Sequence, residues 1–353
     1  MKIGIITYYN VVNYGAVLLA YSMKKILNSM GHEVVFLQFD RAKDKIKKSR
    51  TLYQKLRGMS PNARKARMAE ELKSIKFDEF RRENLVIGDY YNVEQELDLI
   101  IVGSDQIFDC KYEFNDYQFA INAACSNVIS YAPSFGEFKI DDLPTFDLRD
   151  SLKVALLKFK MHSARDKNTE LLLEELIGRK PVRVLDPVLL YGFEKEKKKW
   201  NTRLIQDRYL IVYAWGGTTN TVEFQESVCD FAKKNGLKTV SIGDRRPWCD
   251  IDYSSASPVE FFQLYRHCDM VITNMFHGTC FSILSEKPFY SVVMPHNENK
   301  LRDLLEFLKL ETQIINDITL IGNKKIPAID YVIVDDVLKG HQRESKKYLE
   351  QNL

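Results

Sequence analysis

Cysteine is scarce and unpatterned in this chain of 353 residues. The six are Cys110, Cys125, Cys229, Cys249, Cys268 and Cys280, with no C-x-x-C pair among them. That excludes a disulfide mini-scaffold and a zinc ribbon. Glycine and proline number only 16 and 10, too few for a collagen-like repeat. No apolar run approaches the roughly 18 residues that cross a bilayer. Neither sign of charge dominates: 51 Lys and Arg against 48 Asp and Glu leave a net +3. A dedicated nucleic-acid binder is usually more basic, so no nucleic-acid partner is expected. Met1–Asn10 has no secretory n-region or h-region, so the expectation is a cytoplasmic protein with reduced thiols. Also absent are G-x-G-x-x-G after the first strand, G-x-x-x-x-G-K-[ST], H-E-x-x-H and G-x-S-x-G. The histidines show no metal spacing. Neither a metal nor a cofactor is expected.

What is present is the balance of a globular protein, 45% hydrophobic and 28% charged, long enough for two ordinary domains. A strand over Ile3–Ile6, a helix carrying Val17, Leu18, Tyr21, Ile26, Leu27 and Met30, and a strand over Val34–Phe39 begin a parallel sheet. Further strands are expected at Leu97–Val102, Val128–Ala132, Lys158–Ser163 and Val182–Leu185. Each ends in polar residues: Gly103-Ser104-Asp105-Gln106, Pro133-Ser134, Ala164-Arg165-Asp166-Lys167 and Asp186-Pro187. Ligands of open parallel sheets sit at such carboxyl ends.

The charged run Glu194–Lys199 reads as a linker. A second α/β unit follows, with strands at Tyr209–Ala214, Lys238–Ile242, Met270–Thr273 and Phe289–Val293. Its helices are expected at Val222–Asn235, Val259–His267, Cys280–Glu286 and Leu301–Lys309. Ser257 and Pro258 form a helix-start signal. Val334–Leu353 reads as a terminal helix. The expected architecture is therefore α/β, two doubly wound Rossmann-like domains facing each other across a cleft. The divisions are 1–191, a linker at 192–203, 204–330, and a final helix at 331–353.

Residues 41–67 hold eleven Lys and Arg and one acid, Asp44. One reading is a solvated helix on the domain edge. The other is a surface resting on anionic lipid or on the phosphates of a lipid carrier, at the inner face of the plasma membrane.

His277 stands where a strand end meets a helix start. There the N–H groups of Gly278, Thr279 and Cys280 would attract an anion, Gly278 would let it approach, and an imidazole would exchange a proton near neutral pH. The other reading is a histidine that caps the helix or is bonded within the core. Arg165 suits a carboxylate or phosphate, although spacing alone favours an ion pair with Asp166 or another acid. Lys300, at a helix start, suits a ligand or plain solvation. Asp105 suits a sugar hydroxyl or the cap of its own turn. Asn13-Tyr14-Gly15 would offer amides and a flat ring to a sugar, or serve as an ordinary strand-to-helix turn.

An ordered set of segments resembles the polysaccharide pyruvyl transferase family, from residue 1 to about residue 310. The set comprises Lys2-Ile3-Gly4-Ile5-Ile6-Thr7 with Asn13-Tyr14-Gly15-Ala16-Val17-Leu18; Ile101-Val102-Gly103-Ser104-Asp105-Gln106; Tyr131-Ala132-Pro133-Ser134-Phe135-Gly136; Ser163-Ala164-Arg165-Asp166-Lys167; Val184-Leu185-Asp186-Pro187; and Val271 through Thr279. The resemblance implies a GT-B-like fold whose terminal helix returns to the first domain. It implies phosphoenolpyruvate as donor and a sugar of a cell-surface glycan as acceptor, in one form of the reading carried on an isoprenoid pyrophosphate. The reaction implied is a 4,6-ketal on galactose or mannose. His277 falls at the family's proposed catalytic histidine; in the mechanism that fits these residues, Asp105 or another first-domain acid receives a hydroxyl proton. Arg165 and Lys300 fall at basic donor-binding positions, with Asn274, Gly278 and Thr279 beside them. Asn13, Tyr14, Gly15 and Asp105 are on the acceptor side. Some members carry an arginine where this chain has Met275, which shifts the donor phosphate onto Lys300, Arg302 and the helix amides.

Overall fold

The computed structural model describes residues 1–38, 60–111, 114–145 and 147–353. Most of the basic segment, residues 41–59, lies outside them, and with it the reading of a membrane contact. No helix among the described residues is long and apolar enough to cross a membrane.

The first domain is built on β1 (Lys2–Ile6), α1 (Tyr14–Ser29), β2 (Glu33–Gln38), α2 (Pro61–Asn84), β3 (Ile87–Asp89), β4 (Leu99–Val102) and β5 (Val128–Ser130). The strands form a parallel sheet in the order β3-β2-β1-β4-β5. Ile100, Ile101 and Val102 are inaccessible to solvent, as strands covered on both faces require. After α3 (Arg149–Leu156) the backbone pairs with β5 at the Ile129–Met161 bridge. A small parallel pair follows, β6 (Ser163–Ala164) and β7 (Val182–Arg183), with α4 (Lys167–Ile177) between them. The strand expected over Lys158–Ser163 is thus only its last residue. Leu157 and Phe159 donate to the carbonyls of Lys153 and Leu156 and still belong to the end of α3.

Two short helices follow, α5 (Pro187–Tyr191) and α6 (Glu194–Lys199). The run expected as a linker is therefore helical and anchored. Glu196 is buried and accepts from the hydroxyls of Tyr21 (2.6 Å) and Tyr191 (3.0 Å).

The second domain contains β8 (Tyr209–Tyr213), α7 (Val222–Lys234), β9 (Lys238–Ile242), β10 (Ile251–Tyr253), α8 (Pro258–His267), β11 (Met270–Thr273), α9 (Phe276–Leu284), β12 (Phe289–Val292), α10 (Glu298–Phe307) and β13 (Ile314–Ile315). Its parallel sheet runs β10-β9-β8-β11-β12-β13. α8 starts with a full capping box, Ser257 and Glu260 exchanging side-chain bonds for backbone N–H groups. α11 (Tyr331–Asn352) returns to the first domain. There the Tyr348 hydroxyl donates to the Ser130 carbonyl, and Ser345 accepts from the Leu185 N–H.

Both sheets reverse strand order beside their first strand, between β1 and β4 and between β8 and β11. Crevices open outside the carboxyl ends of strands at such switch points. The loops after β1, β4, β8 and β11 carry Asn13, Asp105, Trp215 and Asn274–Met275, and Gly15 and His277 lie in the first turns of the helices that follow β1 and β11.

The domains are packed together. Tyr14, Leu18 and Tyr21 of α1 and Phe77 and Phe80 of α2 join Tyr213, Phe261, Phe262 and Phe281 in one buried cluster. α2 also bonds both halves: Arg81 donates to the Val11 carbonyl, and Lys76 pairs with Glu260 at 2.8 Å. No helix was expected over residues 68–84.

Candidate active site

His277 is the second residue of α9, which begins four residues earlier than the spacing predicts. The N–H groups left without intrahelical acceptors therefore belong to Phe276, His277 and Gly278. Thr279 N–H already donates to the Met275 carbonyl, and its hydroxyl pairs with Ser291 at 2.7 Å. A Cβ on Gly278 would lie 2.2 Å from Oγ1 of Thr273. Gly278 thus serves close packing of α9 on β11. Asn274 is buried, and both ends of its amide hold the Trp215 backbone. As placed here, Thr279, Gly278 and Asn274 act as framework.

The imidazole itself is 7% exposed, where the sequence suggested a side chain opening on the cleft. It is not surrounded by apolar groups. One edge faces the first domain: a Cβ added to Gly15 would lie 2.1 Å from Nδ1. The other edge faces Asp186, whose Oδ2 lies 3.4 Å from Nε2. Nε2 makes no hydrogen bond among the described residues.

Asp186 binds the cluster together. It caps α5, accepting from the Val188 N–H at 2.9 Å, and its Oδ2 accepts from Arg165 at 3.0 Å. Burial alone would raise its pKa, but the His277 ring and the Arg165 guanidinium outweigh burial and hold it below the usual carboxylate range. Arg165 is itself buried, stacks on the Phe276 ring at 4.3 Å, and reaches Asp105 at a long 3.5 Å. Desolvation opposes its charge, yet Asp105, Asp186 and Asp166 keep it more firmly protonated than a free guanidinium. The ion-pair reading of Arg165 therefore holds, with Asp186 and Asp105 as partners.

Asp105 has a positive φ of 68° and keeps a partly exposed side chain at the mouth of the cluster. Lys300 lies in the first turn of α10. Burial and the nearby Arg165 lower its pKa, against the pull of Asp105, Asp166 and Glu137. Arg302 faces away, paired with Glu298 at 2.7 Å and bonded to Asn316.

Of the residues expected to meet an acceptor, Asn13 caps α1 by accepting from the Ala16 N–H. Tyr14 does not offer its ring. It is fully buried, stacked on Phe261 at 4.4 Å, with its hydroxyl donating to the Ala256 carbonyl. A cavity of about 350 Å³ lies beside Asn13, lined also by Lys73, Trp215, Asp244 and Met275.

Sequence reasoning gave no role to Asp186, Trp215 or Lys73. Asp186 was visible only as a strand end and as a member of the family-like segment Val184-Leu185-Asp186-Pro187. Its partners come from the loop after β6 and from α9, and nothing in its own neighbourhood announces them.

The fold is of the two-domain GT-B type. The chain is similar along its whole length to a UDP-GlcNAc 2-epimerase from Neisseria meningitidis, at 13% identity and TM-score 0.50, covering 100% of this chain and 99% of that one. It is likewise similar to the UDP-GlcNAc 2-epimerase of Methanocaldococcus jannaschii, at 11% identity and TM-score 0.51, covering 94% and 95%. No curated protein matches the sequence. Residues 13–296 match the family described as polysaccharide pyruvyl transferase, and the chain belongs to that family.

Proposed function

We propose that this protein transfers the pyruvyl group of phosphoenolpyruvate to a pair of hydroxyls on a hexose, forming a 4,6-ketal on galactose or mannose in a cell-surface polysaccharide. The observation that carries the reading is the buried His277–Asp186–Arg165 cluster, set where the two domains meet and lying within the family match.

The donor enters at the exposed end of the cluster. Its carboxylate or phosphate replaces the long Asp105 contact on Arg165, and Lys300 balances the second charge. Asp186 holds the Nε2 edge of the ring. The His277 ring donates a proton to the methylene carbon of the enol. A C–H bond forms and C2 becomes oxocarbenium-like. A sugar hydroxyl attacks C2 and passes its proton to Asp105. The C2–O bond to phosphorus breaks, and phosphate leaves with the electron pair. The second hydroxyl then closes the ketal. Of the two hydroxyl protons, one restores His277 and one leaves with phosphate. Proton transfer of this kind contributes roughly a hundred- to ten-thousand-fold in rate, and the fixed charges add electrostatic preorganisation.

The test is phosphate release from phosphoenolpyruvate across galactosides and mannosides, with mass spectrometry of the product. A product heavier by the pyruvyl ketal supports the reading. A second reading, transfer from a nucleotide sugar, draws on the similarity to structures of UDP-GlcNAc epimerases. Thermal stabilisation by uridine or guanosine diphosphate but not by phosphoenolpyruvate would favour it.

A further inference from the structure

Trp215 is 63% exposed, although most large side chains in the second domain are buried. It lies on the loop after β8, at the switch point between β8 and β11. An exposed indole on a slack loop would mean little, but this loop is held from two sides. Asn274 accepts from the Trp215 N–H at 2.9 Å and donates to its carbonyl at 2.6 Å. Asn274 is fixed in turn by Asn297, which donates to its backbone carbonyl at 2.8 Å. From the other side the buried Arg246 donates to the carbonyls of Ala214 and Thr219, both at 2.6 Å. Three buried polar side chains thus fix the backbone on both sides of an indole that packing does not require.

The ring borders the cavity of about 350 Å³, within the roughly 300–1,000 Å³ usual for small-ligand sites. The other walls mix apolar residues such as Val12, Ala214 and Met275 with a few polar ones. Lys73 donates to the Gly243 carbonyl at 3.1 Å and lies over the Tyr14 ring, Asn13 caps α1, and Asp244 is exposed at the rim. The cavity also adjoins the catalytic histidine. Met275 precedes His277 by two residues, and Asn13 precedes Gly15, on which the imidazole rests.

We infer that Trp215 is the stacking platform for the pyranose ring of the acceptor. An indole face is electron-rich and apolar. A pyranose presents to it a face of C–H groups, apolar and slightly positive, with hydroxyls around the rim. Asp244 accepts from adjacent hydroxyls, and Asn13 and Lys73 meet the rest. An acidic residue at the rim disfavours a nucleotide, whose phosphates it would repel. The inference rests on the pyruvyl-transfer reading only in calling the bound sugar an acceptor.

The experiment uses the full chain and its Trp215→Ala and Trp215→Phe variants. The probes are methyl β-galactopyranoside, methyl α-mannopyranoside and uridine diphosphate. Binding is followed by saturation-transfer NMR and tryptophan emission, and turnover by phosphate release. Saturation should reach the sugar ring protons of at least one glycoside. W215A should weaken that glycoside and raise its KM by about tenfold or more, and W215F by only about threefold. The KM for phosphoenolpyruvate and the thermal midpoint should be unchanged, because the indole is exposed. The inference is overturned if neither glycoside receives saturation, if W215A binds as the wild type does, or if uridine diphosphate displaces the glycoside from Trp215. Glycoside binding through Trp215 without phosphate release would sink the transfer reading and leave the stacking site. Phosphate release with an unchanged glycoside KM in W215A would do the reverse.

Discussion

The contact between the two domains has two regions built on opposite principles. In one, Tyr14, Phe77, Phe261, Tyr213 and their neighbours bury aromatic faces against each other, and the Tyr14 hydroxyl finds the Ala256 carbonyl. In the other, Asp186, Arg165, His277, Asp105 and Lys300 put charges out of water with long or missing bonds. Arg165 reaches Asp105 only at 3.5 Å, and among the described residues Nε2 of His277 and Nε of Arg165 make no hydrogen bond. Buried charge is costly unless well paired. The aromatic region supplies the adhesion that lets the ionic region remain incompletely satisfied, and an incompletely satisfied cluster can accept an anion and move a proton.

The strongest way to break this division is at His277. His277→Gln keeps the shape of the side chain and removes the proton. Phosphate release should fall roughly a hundred- to ten-thousand-fold with the circular-dichroism spectrum unchanged. Next comes Asp186→Asn, which removes the buried carboxylate that pairs with Arg165. A loss of about 3–5 kcal/mol in denaturant unfolding is expected, as for one broken partner of a buried pair. The same residue sets a pH dependence. Its folded pKa is depressed, so its stabilising share is complete above about pH 4 and is lost as pH falls through the folded value. D186N should flatten that acid limb of the stability curve.

Gly15→Ala probes the boundary between the regions. The new methyl collides with the imidazole, so the ring or α1 must shift. Overpacking of this kind costs about 1–3 kcal/mol. Turnover should fall together with the thermal midpoint, unlike in H277Q. The smallest effect belongs to Tyr14→Phe, which loses one bond in the aromatic region, about 1 kcal/mol, and should leave kcat within about twofold. A large drop in kcat for Y14F would erase the distinction between the two regions.

Much of this scaffold is readable in the chain. Uninterrupted apolar runs such as Leu99–Val102 and Met270–Thr273 set the central strands to within a residue or two, because both faces of these sheets are covered. The start of α9 was not readable. No capping side chain marks it, since Met275 stands at the cap and the nearby Asn274 amide is committed to Trp215. The stretch after α3 read as a strand over Lys158–Ser163 because Phe159 and Met161 alternate with polar residues there. α2 was hidden behind its charge. Phe77 and Phe80 are its deeply buried rings, and the cluster they join is contributed by both domains. In the site, His277 stood out by its chemistry and its place after a strand. Asp186 did not, because pairing with residues distant in the chain leaves no periodicity.

The most direct measurement is turnover of phosphoenolpyruvate with a hexose glycoside in deuterium oxide, with mass spectrometry of the ketal methyl. The wild-type protein should place one solvent deuterium on that carbon, and H277Q should form labelled product at least about a hundredfold more slowly. A folded H277Q that labels and releases phosphate at the wild-type rate would contradict the assignment of the proton to His277.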